Sequence, residues 1–296
     1  MEKLMISIII TSRNDDYDGC GLHRNQAFVT TLLTLAARHG LDAELVIVEW
    51  RPPPDRPGLA EAIHWPRKRA IPVRIIRVPE GIHHTIENSD TIPFFQMWAK
   101  NVGIRRARGD WILCTNADLL YSDGMIAHLA TEQLDPGCYY RAARHDTELR
   151  RMPARRSVDQ WLAHCAKNVY VVHDKASANN PFTMAAGDFT MLHRDEWMRL
   201  RGYPEIGRWS IFVDGLLLYA AWVTGLREVT ISHPIYHLYH GRAWSVTEEL
   251  ATTYPSLDYN LEYKPWCRAM LAESRCISPN DDHWGFAEVE LDEITL

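Results

Sequence analysis

The sequence predicts an α/β fold in which a doubly wound, mostly parallel sheet is flanked by helices. Four short apolar runs rich in valine and isoleucine precede residue 120, namely "LMISIIIT", "AELVIVEW", "VRIIRVP" and "DWILCTNAD". Their apolar residues are nearly continuous rather than alternating, as is typical of strands buried on both faces of a parallel sheet. Segments with helical spacing separate them, and this alternation builds doubly wound sheets with right-handed crossovers.

The helices of the first half follow from apolar residues at helical spacing. The first lies between the first two runs, at 24–40, where Gly40 is placed to end it. The second lies before the fourth run, at 93–109, and Gly109 is expected to close it. Each helix therefore connects two predicted strands.

From about Asp135 this regular alternation gives way to a more elaborate second half. An arginine-rich stretch at 141–156 suits either a solvated surface or a site that attracts an anionic or lipid-phosphate ligand. The segment 281–296 is acidic and predicts a short helix or a peripheral extension. The sequence has no internal repeat and no low-complexity tract, so we expect one continuous domain.

Composition excludes several classes of protein. The net charge of -6 over 296 residues argues against a general nucleic-acid binder. The sequence has no apolar run of the roughly 20 residues that a transmembrane helix needs, although peripheral membrane contact stays open. The beginning, "MEKLMISIII", reads as a first strand and not as a signal peptide, so a cytoplasmic location is expected. The six cysteines form no C-x-x-C pair and are expected to be mostly buried thiols.

Polar residues follow three of the predicted strands, where ligands bind in open parallel sheets. These are "TSRND" at 11–15, "EWRPPP" at 49–54 and "TNAD" at 115–118. No G-x-G-x-x-G follows the first strand, and the sequence contains neither a P-loop nor a G-x-S-x-G elbow. "TNAD" is compatible with a simple turn or with a metal and phosphate site.

Four segments resemble, in order and spacing, the inverting glycosyltransferases of family 2 and their relatives with the GT-A fold. They are "SIIITSRND", "AELVIVEW", "WAKNVGIRRARGDWILCTNADLL" and "GDFTMLHRDEWMRLRGYPE" with "FVDGLLLYAAWVTG", so the similarity spans roughly Ile6 to Gly241. The resemblance implies a GT-A-like fold and a hexosyltransferase-type enzyme that moves a sugar from a nucleotide-diphosphate donor, a UDP-sugar first, to a saccharide or other hydroxyl acceptor. It divides the chain into a nucleotide-sugar half (1–134), an acceptor and catalytic half (135–280) and an acidic extension (281–296).

The resemblance also implies a divalent metal, Mn²⁺ or Mg²⁺. The family holds it with a D-x-D motif after the fourth strand, whereas this chain has Asn116-Ala117-Asp118, without the first carboxylate. Asp118 would be the direct ligand, and Asn116 would hydrogen-bond the ribose or a metal-bound water. A histidine after the catalytic helix often completes the family's site. If the segment around His237 and His240 is a strand, the two lie on opposite faces and only one can be the ligand, His240 being the first choice.

Further residues follow from the same resemblance. Those implied to bind donor or acceptor are Thr11, Ser12, Arg13, Asn14, Glu49, Trp50, Lys100, Asn101, Asn116, Asp188 and Trp209. Asp214 is the implied catalytic base and would also be an ordinary helix N-cap. Asp188 could instead be a strand-end hydrogen bond, and Trp209 a core residue. Arg106 points away from Lys100 on the helix and is expected on a solvated face.

Three other functions stay open from the residues alone. A sugar nucleotidyltransferase would normally carry a glycine-rich loop after the first strand, where only Gly19 and Gly21 occur. A non-catalytic nucleotide- or glycan-binding protein is compatible with the missing carboxylate. A metal hydrolase could use Asp118 with His237 and His240.

Overall fold

Strands and helices alternate along most of the chain, as the apolar runs predict. The computed structural model describes residues 5–15, 19–174, 179–240 and 253–296. The strands in these residues are β1 (Ile6–Ser12), β2 (Ala43–Trp50), β3 (Val73–Val78), β4 (Trp111–Thr115), β5 (Leu119–Tyr121), β6 (Cys138–Thr147), β7 (Val169–His173), β8 (Phe189–His193), β9 (Arg227–His237) and β10 (Asp292–Thr295). The helices are α1 (Gly21–His39), α2 (Leu59–Ala62), α3 (Glu80–His83), α4 (Gln96–Arg106), α5 (Asp123–Thr131), α6 (Val158–Lys167), α7 (Arg194–Leu200), α8 (Val213–Val223) and α9 (Lys264–Glu273). A π-helical turn, Tyr259–Tyr263, leads into α9.

The strands form one mixed sheet in the order β10-β3-β2-β1-β4-β8-β6-β9-β5, with β7 paired to β6. Strands β3, β2, β1 and β4 run parallel, which confirms the α/β arrangement predicted from the four apolar runs. Antiparallel pairs then join β8 to β4 and β5 to β9, while β6 and β9 are parallel. The elaborated second half therefore continues the sheet of the first.

The central strands are buried on both faces, because helices pack on each side of them. Ile8 and Ile10 of β1 pack in one core with Phe28 of α1. Ile9, which points the other way, packs with Val102 of α4 in a second core. All eight residues of β2 are buried, which explains why the run "AELVIVEW" does not alternate.

The glycines that follow α1 and α4 have different structural roles. Gly40 ends α1 in the left-handed region with φ 60°, as predicted. Helix α4 ends at Arg106, capped by Ala107, so the prediction that Gly109 closes it is wrong. A Cβ on Gly109 would lie 2.6 Å from both Met5 O and Ser7 N, so this glycine lets the chain pass close to the start of β1.

The C-terminal segment contains a short helix, as predicted, in the form of a single 3₁₀ turn at Trp284–Phe286, and it ends in a strand at the edge of the sheet. Strand β10 pairs antiparallel with β3 at the sheet edge. Arg106 donates to the carbonyl oxygens of Gly285, Phe286 and Val289 and holds the approach to this strand. The prediction that Arg106 lies on a solvated face is therefore wrong.

The arginine-rich stretch is divided between exposed and buried side chains. Arg150, Arg151, Arg155 and Arg156 are exposed, as a solvated surface predicts. Arg141 on β6 is completely buried, and its guanidinium donates to carbonyl oxygens of the segment 182–189. All six cysteines are free thiols and five are buried, as predicted. Among the described residues, the helices are too short or too polar to span a bilayer.

Candidate functional site

Asp118, His237 and His240 meet beyond the carboxyl end of β4. Strands β5 and β9 pair with Leu119 opposite His237, which brings Asp118 beside the end of β9. Asp118 Oδ2 lies 3.1 Å from His240 Nε2 and 3.6 Å from His237 Nε2, and the two imidazole nitrogens are 3.0 Å apart. One ligand atom from each residue lies within 4.8 Å of the others. We call these three residues the Asp–His triad.

The two histidines share one side because the strand ends between them. Strand β9 ends at His237, and Leu238 N then donates to Asp118 O at 2.9 Å. His240 therefore lies outside the strand and turns back towards Asp118. The expectation that strand geometry places the histidines on opposite faces is wrong for this reason.

The Asp118 carboxylate fits a divalent cation. Its side chain is 22% exposed, yet Oδ1 is sealed and has no hydrogen-bond partner among the described residues. Burial alone would raise the pKa of Asp118, but hydrogen bonds from His237 and His240 hold it well below its usual range. An unpartnered carboxylate oxygen beside two converging imidazole nitrogens is a set of atoms suited to a metal ion.

A second group of polar side chains surrounds the triad. Parallel pairing of β6 with β9 places Asp146 opposite His237, and Asp146 Oδ1 lies 3.1 Å from His237 Nδ1. The other oxygen of Asp146 lies 2.7 Å from His173 Nε2 on β7. Arg144 Nε lies 2.9 Å from Asp146 Oδ1, while Arg144 NH1 reaches Asp188 Oδ2 at 2.6 Å. Asp146 is therefore fixed from three sides.

Asn116 faces Asp188 and Gln96, and both ends of its amide have protein partners. Its Nδ2 donates to Asp188 Oδ1 at 2.6 Å, and its Oδ1 accepts from Gln96 Nε2 at 2.8 Å. Asp188 is thus held between Asn116 and Arg144, just before β8. Gly187, the preceding residue in the same turn, donates its N–H to Asp214.

Asp214 lies in the first turn of α8 and binds the Gly187–Asp188 turn. Its Oδ2 accepts from Gly187 N at 2.6 Å, and its Oδ1 from Gly215 N at 2.9 Å. The N-cap is Phe212, in the left-handed region with φ 68°, so Asp214 is not the N-cap as expected. Burial raises the pKa of Asp214, and the nearby Lys100 ammonium opposes that rise.

Lys100 is completely buried beneath the same turn. Its Nζ donates to Gly187 O, and the ring centroid of Tyr203 is 5.9 Å away. Burial lowers the pKa of Lys100, against the attraction of Asp188, Asp214 and other neighbours. Lys100 and Asp214 thus bind the same residue, Gly187, and the positive charge of Lys100 lowers the pKa of Asp214.

The residues at the carboxyl ends of β1 and β2 lie together at the same edge of the sheet. Thr11 and Ser12 pair with Val48 and Glu49 of β2, and Thr11 Oγ1 is buried without a partner among the described residues. Arg13 Nε donates to Asp15 Oδ2 at 2.7 Å, and Asn14 Nδ2 to Pro57 O at 2.9 Å. The loop that follows, 16–18, lies outside the described residues.

Three further candidate residues have structural partners. Glu49 is buried, accepting from Leu59 N at 2.6 Å and from Arg77 Nε at 2.9 Å. Asn101 Nδ2 donates to Tyr203 O at 2.8 Å and to Glu205 Oε1 at 2.9 Å. The indole of Trp50 is completely buried and donates to His83 Nδ1, so it presents no surface to the donor or acceptor that the resemblance implies it binds.

Trp209 lies near the start of α8, on the side of the candidate base. Its ring stacks on Tyr254, with centroids 4.6 Å apart and planes at 23°. The side chain is half-buried, so part of the ring stays accessible.

Sequence reasoning missed Arg144, Asp146, His173 and Gln96. Arg144 and Asp146 are two residues apart on β6 and therefore face the same side, which is a detectable signal. Their partners come from β7 and β9, and His237 is 91 residues from Asp146 in the sequence. Only the sheet pairing brings them together.

Among the comparisons with known proteins, only the one with solved structures finds similar proteins. No protein-family model and no curated protein sequence matches the chain. The structure of S. aureus TarS 1–349 in complex with UDP-GlcNAc matches with a TM-score of 0.51 and 11% identity, covering 95% of this chain and 69% of that one. This likeness confirms the predicted GT-A-like fold.

Two further solved structures match more loosely. The mannosyltransferase PcManGT from Pyrobaculum calidifontis, in complex with GDP-Man and Mn²⁺, has a TM-score of 0.45 and 14% identity, covering 92% of this chain and 70% of that one. The catalytic domain of Drosophila β1,4-galactosyltransferase 7, in complex with xylobiose, has a TM-score of 0.45 and 12% identity, covering 90% and 79%.

Proposed function

We propose that this protein is a metal-assisted glycosyltransferase that transfers a hexose from a nucleotide-diphosphate donor to a hydroxyl acceptor with inversion. One observation carries the proposal: Asp214 accepts from Gly187 N, while the next residue, Asp188, accepts from Asn116, two residues before the Asp118 of the triad, at the carboxyl ends of strands in a GT-A-like sheet. TarS, which has a similar fold, is seen with UDP-GlcNAc, and a UDP-sugar is therefore the first donor to test. A saccharide is the first acceptor to test.

Asp118, His237 and His240 would hold the divalent cation, Mn²⁺ or Mg²⁺. When bound there, such a cation neutralises charge that develops on the leaving diphosphate. Asn116 and Asp188 lie next to the triad and would orient the donor's ribose and sugar. Thr11, Ser12, Arg13 and Asn14 would line the nucleotide.

Asp214 would remove the proton from the acceptor hydroxyl. Inversion needs a base on the face of the sugar opposite the leaving group, with its carboxylate within hydrogen-bond reach of the hydroxyl. Burial raises the pKa of Asp214 and so makes it more basic than an exposed aspartate, while the positive charge of Lys100 opposes that rise. Trp209 would support the acceptor beside it.

The first test is ligand binding measured as a change in melting temperature. UDP, GDP, dTDP and CDP are each added with and without Mn²⁺ to the wild type and to Asp118→Ala. A ligand at about 100 times its dissociation constant stabilises a protein by about 2.7 kcal/mol, which is visible as a rise in melting temperature. We expect one nucleotide to stabilise the wild type only with metal, and to have no metal-dependent effect on Asp118→Ala.

Asp90→Ala is the matched control, because that side chain is 98% exposed and lies in the turn after α3. It should respond like the wild type. Release of nucleoside diphosphate from the corresponding sugar donor, followed by mass spectrometry of the acceptor product, then tests turnover. If no nucleotide stabilises the wild type and no donor is consumed, the glycosyltransferase proposal is wrong.

A further inference from the structure

A cleft of about 410 Å³ lies between α4, the beginning of α9 and two loops, the turn after α3 and the segment 205–208. The described residues that line it include neither the Asp–His triad nor Asp214. Its volume is within the range of about 300–1,000 Å³ that is usual for sites that hold small molecules. The proposed transfer reaction makes no use of this space, which we call the tryptophan cleft after the two rings that line it.

Trp98 of α4 and Trp266 of α9 line the tryptophan cleft with half-buried rings. Trp98 Nε1 donates to Ile206 O at 3.1 Å, and Trp266 Nε1 donates to Ile277 O at 2.8 Å. These bonds hold both rings in place and occupy both indole N–H groups. The rings therefore offer a ligand flat apolar surface, which suits the C–H face of a sugar ring.

Charged groups that can bind hydroxyls line the same cleft. Arg208 Nη2 lies 3.7 Å from Glu262 Oε1, which is too far for a hydrogen bond, and the two side chains are 38% and 40% exposed. Glu262 Oε2 accepts from Asp258 N at 2.8 Å, so this carboxylate is held in place. A hydroxyl both donates and accepts hydrogen bonds, and it can therefore bridge the guanidinium and Oε1 of Glu262.

The walls of the tryptophan cleft are in contact without any ligand. Asn88 Nδ2 donates to Gly207 O at 2.7 Å, and a Cβ on Gly207 would lie 2.5 Å from Glu87 O. Gly207 therefore lets the turn after α3 lie directly against the segment 205–208. A preformed cleft loses less conformational freedom when a ligand binds, which favours affinity.

Tyr263 connects the tryptophan cleft to the surroundings of Asp214. It follows Glu262 in the chain, and its Oη lies 2.6 Å from the position that a Cβ on Gly215 would take. Gly215 is the residue after Asp214, and its N–H donates to the Asp214 carboxylate. The tryptophan cleft therefore lies beside the site proposed for the acceptor hydroxyl.

We propose that the tryptophan cleft binds an uncharged saccharide unit of the acceptor, other than the unit that reacts at Asp214, so that the acceptor is an oligosaccharide or polysaccharide. The inference rests on the proposed function for the role of the saccharide as acceptor, but saccharide binding is measurable without metal or donor. The carboxyl groups of Glu87, Glu205 and Glu262 outnumber the one guanidinium of the cleft, which disfavours anionic sugars. Arg208 opposes an organic cation, which is the rival ligand in the test.

The test is isothermal titration calorimetry on the full chain without metal or nucleotide. The probes are hexasaccharides of glucose, galactose, mannose and N-acetylglucosamine, with tetramethylammonium as the cationic probe. We expect a hexasaccharide to bind and tetramethylammonium not to bind. Arg208→Ala should weaken hexasaccharide binding about tenfold or more, because a hydrogen bond from a charged group is lost. Trp266→Leu should weaken it about threefold or more, because the flat ring surface is lost.

Arg268→Ala and Trp222→Leu are the matched controls. Arg268 is exposed on α9, two residues after Trp266, and Trp222 is half-buried on α8, and neither lines the tryptophan cleft. Both variants should bind the hexasaccharide like the wild type. Circular dichroism confirms that all four variants are folded before their affinities are compared.

The proposal is overturned if no hexasaccharide binds, if only tetramethylammonium binds, or if Arg208→Ala and Trp266→Leu bind the hexasaccharide as tightly as the wild type. In turnover, Arg208→Ala should raise KM for the hexasaccharide acceptor and leave kcat unchanged. Failure of the proposed function looks different: a hexasaccharide then binds in the tryptophan cleft, but no nucleotide-sugar donor is consumed. Transfer to a hexasaccharide with the same KM in the wild type and Arg208→Ala removes this inference and leaves the glycosyltransferase proposal intact.

Discussion

At the scale of single residues, the proposed chemistry depends on the charge of Asp214. Burial and Asp188 raise the pKa of Asp214, whereas Lys100 and the N–H groups of Gly187 and Gly215 lower it. A base must be ionised to accept a proton, so activity is lost on the acid side of this pKa. The buried ammonium of Lys100 is the strongest of the effects that keep Asp214 charged.

Lys100→Met should therefore move the acid limb of the pH profile of kcat/KM to higher pH. The substitution keeps the length of the side chain but removes the positive charge that opposes the raised pKa of Asp214. Circular dichroism confirms that the variant is folded before its profile is measured. Lys68→Met, at an exposed position, is the control and should follow the wild-type profile. An acid limb that stays in place in Lys100→Met contradicts the assignment.

Asp214→Asn should retain nucleotide binding and lose transfer. The amide accepts no proton at neutral pH, and loss of a general base typically costs a factor of about 10²–10⁴ in rate. The two readouts are the turnover number and the nucleotide-dependent rise in melting temperature. A variant that loses binding and turnover together would place Asp214 in the donor site and not at the acceptor.

At the residue scale, the sequence singles out carboxylates next to apolar runs, and the roles of these carboxylates stay predictions. Asp118 and Asp214 stand out because a carboxylate follows an apolar run or begins an apolar helix. Asp146 and His173 were not predictable, since they are ordinary strand residues 27 positions apart whose meeting depends on the β6–β7 pairing. The burial of Trp50 was not predictable either, because the residues that cover it come from α3 and from Phe95, just before α4.

At the scale of elements, Gly109 decides how closely β4 approaches the start of β1. Gly109→Ala places a Cβ 2.6 Å from Met5 O and from Ser7 N, and both are backbone atoms that cannot turn away. We expect a loss of roughly 2 kcal/mol or more in the free energy of unfolding, measured by denaturant titration. The sequence pointed to this glycine as a helix end, whereas its function is close approach.

Gly81→Ala is the control for this effect. No atom lies within 4 Å of a Cβ at Gly81, which is in helix α3 with no positive φ, so the substitution should be neutral or slightly stabilising. Equal losses in both variants would mean that removal of a glycine, and not the backbone contact, causes the change.

Strands and helices were predictable from the sequence where their apolar residues form a continuous buried run or a helical face. The four parallel strands and helices α1 and α4 follow from apolar runs and helical periodicity. Strand β10, "DEIT", is short, polar and mostly exposed, so nothing in its pattern indicates a strand. It forms because the exposed edge of β3 provides hydrogen-bonding partners, and such an edge is visible only once the sheet is assembled.

At the scale of the whole molecule, the first half was predictable and the second was not. Parallel strands joined by helices follow a small set of rules, which place β1 to β4 correctly. The order β8-β6-β9-β5 depends on long-range pairs, antiparallel for β8–β6 and β9–β5 and parallel for β6–β9, that leave no local signal. The division into donor and acceptor halves at residue 134 stays a prediction.

Glu205 connects three separate parts of the chain through buried hydrogen bonds. Its Oε1 accepts from Asn101 Nδ2 on α4 at 2.9 Å and from Gly285 N in the C-terminal segment at 2.8 Å. Its own N–H donates to Asn280 Oδ1 at 2.7 Å. Burial raises the pKa of this carboxyl from 4.5 to about 7, despite those hydrogen bonds.

This raised pKa makes the stability of the whole fold depend on pH. The folded state holds the proton of Glu205 more tightly than the unfolded chain, so its stabilising effect is complete below about pH 4.5 and is lost as pH rises through about 7. Glu205→Gln keeps the accepting oxygen but cannot ionise. We therefore expect it to be more stable than the wild type at pH 8, by up to about 3 kcal/mol, and to lose this advantage at pH 4.5. Denaturant titrations of both proteins across that range measure the difference.

Glu132→Gln, at an exposed position, is the control, and its free energy of unfolding should follow that of the wild type at every pH. If the free energy of unfolding of Glu205→Gln changes with pH in parallel with that of the wild type, ionisation of Glu205 does not limit stability.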